Sequence, residues 1–242
     1  MELLERNKLA IVIHLFYVDI FVEKILPSLK KLPKDSYDLF ITTPFSEDFV
    51  RGLCVGVDAI VCSYENKGRD ILPFLKSVKQ HIIHKYDLFL KIHTKRNFKD
   101  NRNQDFKNFW DNVWNDNYYE FLLDSTIITS TCVFLIKNKN IYLGGIPNSI
   151  LSFNKHICDN FPRVFIYLKR LGLEYSHSME FFSGTMFYGK TEVIEPLFFL
   201  IDENWDDDAS QKKDGTMAHV VERLFLCHAK AYKSLERIQE ST

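Results

Sequence analysis

Residues 86–95 read Tyr-Asp-Leu-Phe-Leu-Lys-Ile-His-Thr-Lys, an apolar run that closes on Lys91, His93, Thr94 and Lys95. Two ammonium groups, an imidazole and a hydroxyl at one place are donors suited to a phosphate or diphosphate. A run rich in Leu, Ile and Phe is what a strand buried in an α/β sheet looks like, and ligands of such sheets gather beyond the carboxyl ends of the strands. A solvated basic turn is the plainer alternative. Upstream, Asn66-Lys67-Gly68-Arg69-Asp70 places a guanidinium on a turn, where it can grip a phosphate bidentately. Asp70 either joins that site or caps the helix that follows it. Downstream, Ser183-Gly184-Thr185 is a small hydroxyl-rich turn that lets a ligand approach the backbone, or else a tight β-connection. Asp214-Gly215-Thr216-Met217-Ala218-His219 sets a carboxylate and an imidazole at a helix start, with His219 and Arg223 on one face at i, i+4. Glu222 and Arg223 by default pair only with neighbours.

No motif points to a metal. The triplet Asp206-Asp207-Asp208 reads as a solvated loop, since adjacent carboxylates repel one another. His93 and His219 belong to no HxH or HExxH spacing.

The elements that must position these groups alternate. Strands are predicted over 8–16, 37–42, 59–63 and 86–93, with helices over 20–32, 45–52 and 70–84 between them. Pro27 falls inside the first helix and predicts a kink or split. This alternation implies βαβ units and a largely parallel sheet. Residues 106–123 carry an aromatic helical stripe (Phe109, Trp110, Val113, Trp114, Phe121) that reads as packing surface. A strand is predicted over 132–136, a strand ending in a turn over 142–147, and a helix over 159–171 stopped by Gly172. The segment 179–189 is strand-like around its Ser-Gly-Thr turn. No linker or repeat divides the 242 residues, which predicts one domain.

Composition narrows the classes. A net charge of −1 argues against a nucleic-acid binder, so an anionic ligand must meet local cations. The five cysteines form no CxxC pair and predict reduced thiols. No apolar stretch approaches the roughly 18–20 residues needed to span a bilayer, and the charged N-terminus lacks a signal-peptide core. The expectation is a cytoplasmic protein that can sit on a membrane surface.

Taken in order, Asn66-Lys67-Gly68-Arg69-Asp70-Ile71 with Pro73-Phe74, Lys91-Ile92-His93-Thr94-Lys95, Ser183-Gly184-Thr185-Met186-Phe187 and Asp214 to His219 with Glu222-Arg223 resemble the rhamnan synthesis protein F family. The resemblance spans about residues 8–226. Members are associated with rhamnose-containing cell-wall and O-antigen polysaccharides, and many are longer than this chain. The layout is also similar to a GT-A glycosyltransferase, which implies an α/β fold with a mostly parallel central sheet flanked by helices. It implies a nucleotide-sugar-binding half (8–95), an acceptor-side half (96–226) and a helical tail (227–242). Where GT-A enzymes end a central strand in Asp-x-Asp to hold a metal, this chain has His93-Thr94-Lys95. No divalent cofactor is therefore expected, with Mg²⁺ or Mn²⁺ as the alternative.

The resemblance implies inverting transfer of rhamnose or another hexose from a nucleotide sugar to a glycan or lipid-linked saccharide. Asp214 is the implied base. Lys91, His93 and Lys95 would stabilise the diphosphate, and Asn66, Gly68, Arg69, Asp70 and Thr94 would hold the donor. Ser183, Gly184, Thr185 and His219 would line the acceptor side, at the inner face of the cytoplasmic membrane. A non-catalytic nucleotide-sugar or glycan-binding module is the alternative. A phosphotransferase ranks last, because no phosphate loop of the GxxxxGK[ST] kind is present.

Overall fold

The computed structural model describes residues 8–96, 117–205, 214–229 and 232–234. Four β-branched and Leu-rich segments form the strands β1 (Leu9–His14), β2 (Asp38–Thr43), β3 (Ile60–Ser63) and β4 (Leu88–His93). They lie parallel, β1 pairing with both β2 and β4, and β2 with β3. Between β1 and β2 the predicted helix is split: α1 (Val18–Ile20) passes through a π-turn into α2 (Leu26–Leu29), with Pro27 at the start of the second piece. Proline has no N–H to continue the ladder, and the break is where that rule places it. Helix α3 (Glu47–Leu53) joins β2 to β3, and α4 (Ile71–Ser77) joins β3 to β4.

After β4 the described chain resumes with α5 (Asn117–Leu122) and α6 (Ser125–Lys137). The expected strand over 132–136 is therefore the second half of a helix. Asp124 caps it, its Oδ1 accepting from the N–H groups of Thr126 at 2.8 Å and Ile127 at 3.0 Å. Ile128, Thr131, Cys132 and Leu135 form its buried stripe, so the apolar run that looked strand-like is one face of a longer period. Residues 106–116 of the aromatic stripe, like Asp206-Asp207-Asp208, lie outside the described residues. Phe121 packs against the core, as a packing stripe should.

The second half adds β5 (Leu143–Gly145), β6 (Ile150–Ser152), α7 (Phe153–His156), α8 (Phe161–Arg170), β7 (Glu180–Phe182), β8 (Phe187–Lys190), α9 (Met217–His228) and β9 (Tyr232–Ser234). The main sheet has seven strands in the order β3-β2-β1-β4-β8-β5-β9, and β6 pairs with β7 apart from it. Among the described strands of the main sheet, β8 alone runs against its neighbours, β4 and β5. This is the mostly parallel, helix-flanked sheet that the sequence predicts. One correction falls in the tail, expected as helical from residue 227: α9 runs on to His228, but Tyr232–Ser234 is a strand beside β5. No helix among the described residues is long and apolar enough to cross a membrane.

Both sheet faces are covered. Leu9, Ile11 and Ile13 of β1 join one core with α2 and α6; Ala10 and Val12 join the other with α4, α8 and α9. Side chains alternate along a strand, so His14, in step with Val12, and Lys91 and His93, in step with Phe89, belong to the second face. From β1 the chain steps outward to β2 and β3 on one side, while β4 lies on the other. The carboxyl ends of β1 and β4 therefore flank a topological switch point, the place where ligands of such sheets bind.

Candidate functional site

His14 and His93 face each other in register at that switch point. His14 is buried, with Nδ1 3.0 Å from Thr42 Oγ1, and burial pushes its pKa down to about 3. His93 is lowered to about 4, by burial first and by Lys91 and Lys95, against the opposing pull of Asp70. It is thus neutral at neutral pH, and its Nε2–H donates to the carbonyl of Gly184 at 2.7 Å.

Lys91 does not face solvent. Its Nζ is bonded to Asp70 Oδ2, to Thr185 O at 3.0 Å and to Thr185 Oγ1 at 2.9 Å, and it lies 5.4 Å from the Phe74 ring centroid. Thr185 Oγ1 in turn donates to Asp70 Oδ2 at 2.7 Å. Burial opposes ionisation of Asp70, but the Lys91 ammonium, the Thr185 hydroxyl and any charge on His93 hold its carboxyl well below the usual range. Burial lowers Lys91 while Asp70 raises it. A buried ammonium and carboxylate survive here because each neutralises the other and both are further hydrogen-bonded.

Two turns deliver these groups. Gly68 and Arg69 both have positive φ (70° and 52°), as do Gly184 and Thr185 (81° and 50°). Two non-glycine residues held in the left-handed region beside the buried pair store about 1–2 kcal/mol each. At Gly68 the space is as demanding as the dihedral: a Cβ there would lie 2.3 Å from Leu72 Cβ and 2.8 Å from Trp205 Cε3.

Helix α9 closes the site from above. Arg69 Nη1 donates to His219 Nε2 at 2.9 Å, which leaves His219 Nδ1–H facing Thr216 Oγ1 at 2.9 Å. Burial and then Arg69 lower His219 to about 4, so this imidazole too is neutral and acts as an acceptor. Asp214 Oδ1 accepts from Asn160 Nδ2 at 2.7 Å and from Arg223 Nη2 at 3.4 Å, with 27% of its side chain exposed. Arg223 also donates to the carbonyls of His219 and His156. Arg223 Nε and Asn160 Oδ1, on the two residues that bind Asp214, are buried without a partner among the described residues.

Of the predicted site residues, Asp70, Lys91, His93, Gly184 and Thr185 come together in one bonded cluster. Arg69, Asp214 and His219 form a second, joined to the first through the Arg69-Asp70 peptide. Lys95 Nζ reaches the same turn, 3.2 Å from where a Cβ on Gly184 would stand, and burial lowers its pKa against the pull of Glu222 and Asp70. Gly68 serves through its backbone. Ser183 is buried, its N–H donating to Ser149 O at 2.7 Å. Thr94 is placed differently: its buried Oγ1 accepts from the N–H groups of Phe16 and Tyr17 at 2.9 and 2.8 Å, pinning the β1 exit loop. Asn66 stands exposed on the β3–α4 loop, apart from the cluster.

Glu222 was not singled out for the site, yet its Oε1 accepts from Gly184 N at 2.7 Å, and burial raises its pKa. The available signal was the polar arc of α9, where His219, Glu222 and Arg223 share one side. Such an arc is ordinarily turned to water, and here it is turned inward. Tyr119, whose OH accepts from Lys95 N at 2.9 Å and donates to His93 O at 3.1 Å, was also missed. A cavity of about 220 Å³ beside α8, lined by Arg163, Ile166, Tyr167, Glu203, Asn204 and Met217, lies outside these clusters. The strand-end cluster is the better candidate, because cations and carboxylates converge there. Among the described residues, no three His, Cys, Asp or Glu side chains are grouped as a metal site.

The fold and the site together define an α/β protein with an inward-facing charged cluster at the switch point of a mostly parallel sheet. The chain belongs to the rhamnan synthesis protein F family, whose model matches residues 1–233. It is 26% identical over 221 residues to the protein WxcX of Xanthomonas campestris pv. campestris (strain B100), a match covering 89% of this chain and 30% of that protein. The chain thus spans about a third of the length of the relative it matches. Among solved structures it is similar to residues 1–349 of S. aureus TarS in complex with UDP-GlcNAc, at 12% identity and TM-score 0.44, over 92% of this chain and 53% of that one. It is also similar to glucosyl-3-phosphoglycerate synthase of Mycobacterium tuberculosis, in complex with Mn²⁺, UDP and glucosyl-3-phosphoglycerate. There the identity is 11% and the TM-score 0.42, over 97% of this chain and 72% of that one.

Proposed function

We propose that the chain is a nucleotide-sugar-dependent glycosyltransferase that extends a cell-surface polysaccharide. The observation that supports this reading is the gathering of Lys95 and His93 on the Gly184 turn at the switch point, beside a cluster of Arg69, His219 and Asp214, in a member of a rhamnan synthesis family. Residues 8–95 hold the donor and residues 96–226 supply the acceptor side.

Arg69 and Lys95 neutralise the diphosphate, doing with fixed cations what a metal does elsewhere. Lys91 acts one step back: committed to Asp70 and Thr185, it sets the turn that carries Lys95's neighbour Gly184. His93, neutral, fixes the same turn through the Gly184 carbonyl and adds its polarity to the diphosphate side. Asp214, oriented by Asn160 and Arg223, takes the proton of the acceptor hydroxyl. The hydroxyl oxygen bonds to the anomeric carbon as the carbon–oxygen bond to the diphosphate breaks, and the nucleoside diphosphate leaves with the electron pair. Attack from the face opposite the leaving group inverts the anomeric centre.

The test is Asp214→Asn. Transfer is expected to fall by at least about a hundredfold, while a thermal-shift screen still detects the nucleotide-sugar donor. Full turnover in that variant removes Asp214 as the base. Donor binding with no turnover for the wild-type chain, on any acceptor, identifies a binding module instead. Loss of turnover on adding a chelator assigns the diphosphate to a divalent ion.

A further inference from the structure

Glu222 stands one helical turn beyond His219, on the inward side of α9, with 14% of its side chain exposed. Its two oxygens go to different halves of the site. Oε1 accepts from Gly184 N–H at 2.7 Å, and Oε2 accepts from Arg223 Nη1 at 3.3 Å. Arg223 Nη2 reaches on to Asp214 Oδ1 at 3.4 Å. Gly184 is held from β4 as well, its carbonyl accepting from His93 Nε2 at 2.7 Å, while Lys95 Nζ stands beside its α-carbon. Strand β7, whose exit is this turn, packs along α9.

Helix α9 is thus tied to the strand-end turns at two points. Arg69 to His219 is one tie, and Gly184 to Glu222 is the other. Burial works against a charge on Glu222, and Arg223, the Gly184 N–H and Lys95 draw it back toward the carboxylate. A buried carboxylate adds little net stability over an apolar side chain of its size. What it adds here is a fixed link between two elements.

We propose that Glu222 is a positioning residue for the transfer step, holding the Gly184 turn at a set distance from the helix start that carries Asp214. This rests on the glycosyl-transfer reading, in which Lys95 and His93 stand on the diphosphate side and Asp214 takes the acceptor's proton. In a single displacement the attacking oxygen, the anomeric carbon and the leaving oxygen lie in line. The base and the diphosphate-side groups must therefore keep one spacing, and a misplacement of about 1 Å costs about a hundredfold in rate. Arg69 and Lys95 meet the diphosphate whether or not that spacing is kept, so the loss falls on kcat rather than on donor binding.

The experiment compares two variants. Glu222→Gln keeps the oxygen that Gly184 N–H needs and drops the charge; Glu222→Asp keeps the charge and falls a methylene short. Transfer is measured well below each melting temperature, with donor Kd by calorimetry and Gly184 amide exchange by NMR. Glu222→Asp should lose about a hundredfold in kcat, hold donor Kd within about threefold of wild type, and exchange the Gly184 amide about tenfold faster. Glu222→Gln should keep that amide protected and lose about fivefold in kcat. A Glu222→Gln loss as deep as that of Glu222→Asp shows that the charge itself acts, and overturns the proposal. So does Glu222→Asp with a lowered melting temperature and wild-type kcat, the outcome of a bond that only stabilises. A wild-type chain that binds donor and transfers to no acceptor refutes the glycosyl-transfer reading and this proposal with it. Wild-type turnover together with either of the first two results refutes the role of Glu222 alone.

Discussion

Replacing Lys91 with Met tests the centre of the site most directly. The side chains of Lys91 and Asp70 are 1% and 13% exposed, so removing the ammonium leaves an almost fully buried carboxylate. It also strips a donor from the carbonyl and hydroxyl of Thr185. Breaking a buried pair from one side costs about 3–5 kcal/mol. For a chain of 242 residues each kcal/mol lowers the melting temperature by about 2–4 °C. Lys91→Met should therefore melt about 6–20 °C below wild type. The double variant Lys91→Met/Asp70→Leu removes both charges, which returns most of that loss and leaves a deficit of about 1–2 kcal/mol from the stranded Thr185 hydroxyl. Differential scanning calorimetry on the four proteins of the cycle gives the coupling. Melting of Lys91→Met within about 2 °C of wild type, or a double variant no better than the single, would refute the inward pairing. It would return Lys91 to the ligand-facing role suggested by its place in the sequence.

The remaining predictions follow from the same geometry. His93 is lowered from 6.5 to about 4, so between those values the unfolded chain binds more protons than the folded one. Stability is present above the unfolded value and is lost as pH falls toward the folded one. One such group contributes about 3 kcal/mol over that window; His14 and His219 act in the same sense but share neighbours with it, so the three do not simply add. Melts at stepped pH should decline below about 6.5, and His93→Gln should flatten the decline; an unchanged slope rules out His93 as a source. Gly68→Ala sets a Cβ against Leu72 and Trp205 at a positive φ, and should lower the yield of soluble, folded protein sharply. Recovery at wild-type yield and melting temperature would show that the turn can relax.

Much of the fold is legible in the chain because burial imposes periods. The four parallel strands are short β-branched or Leu-rich runs, and Pro27 splits its helix because a ring nitrogen cannot donate wherever it is packed. Residues 132–136 misled for the opposite reason. A run apolar on every residue fits either period, and only the capped start at Asp124, eight positions upstream, decides for the helix. The cations at the end of β4 were likewise visible as residue types at one edge. Their directions were not.

Strand alternation puts Lys91 on the same face as Phe89, but which helix covers that face depends on where α4 lands. The carboxylate that makes burial of an ammonium tolerable, Asp70, comes from 21 positions away, and the threonine that bonds both from 94. Glu222 shows the same limit: a polar arc on a helix normally faces water, and it faces inward here, where the Gly184 turn presents an N–H to it. The sequence by itself determined which groups reach the carboxyl edge of the sheet, since that depends on local periods and on where each strand stops. The tertiary structure alone decided which of them neutralise one another and which remain for a ligand, because the stability of a buried charge depends on partners distant in the chain.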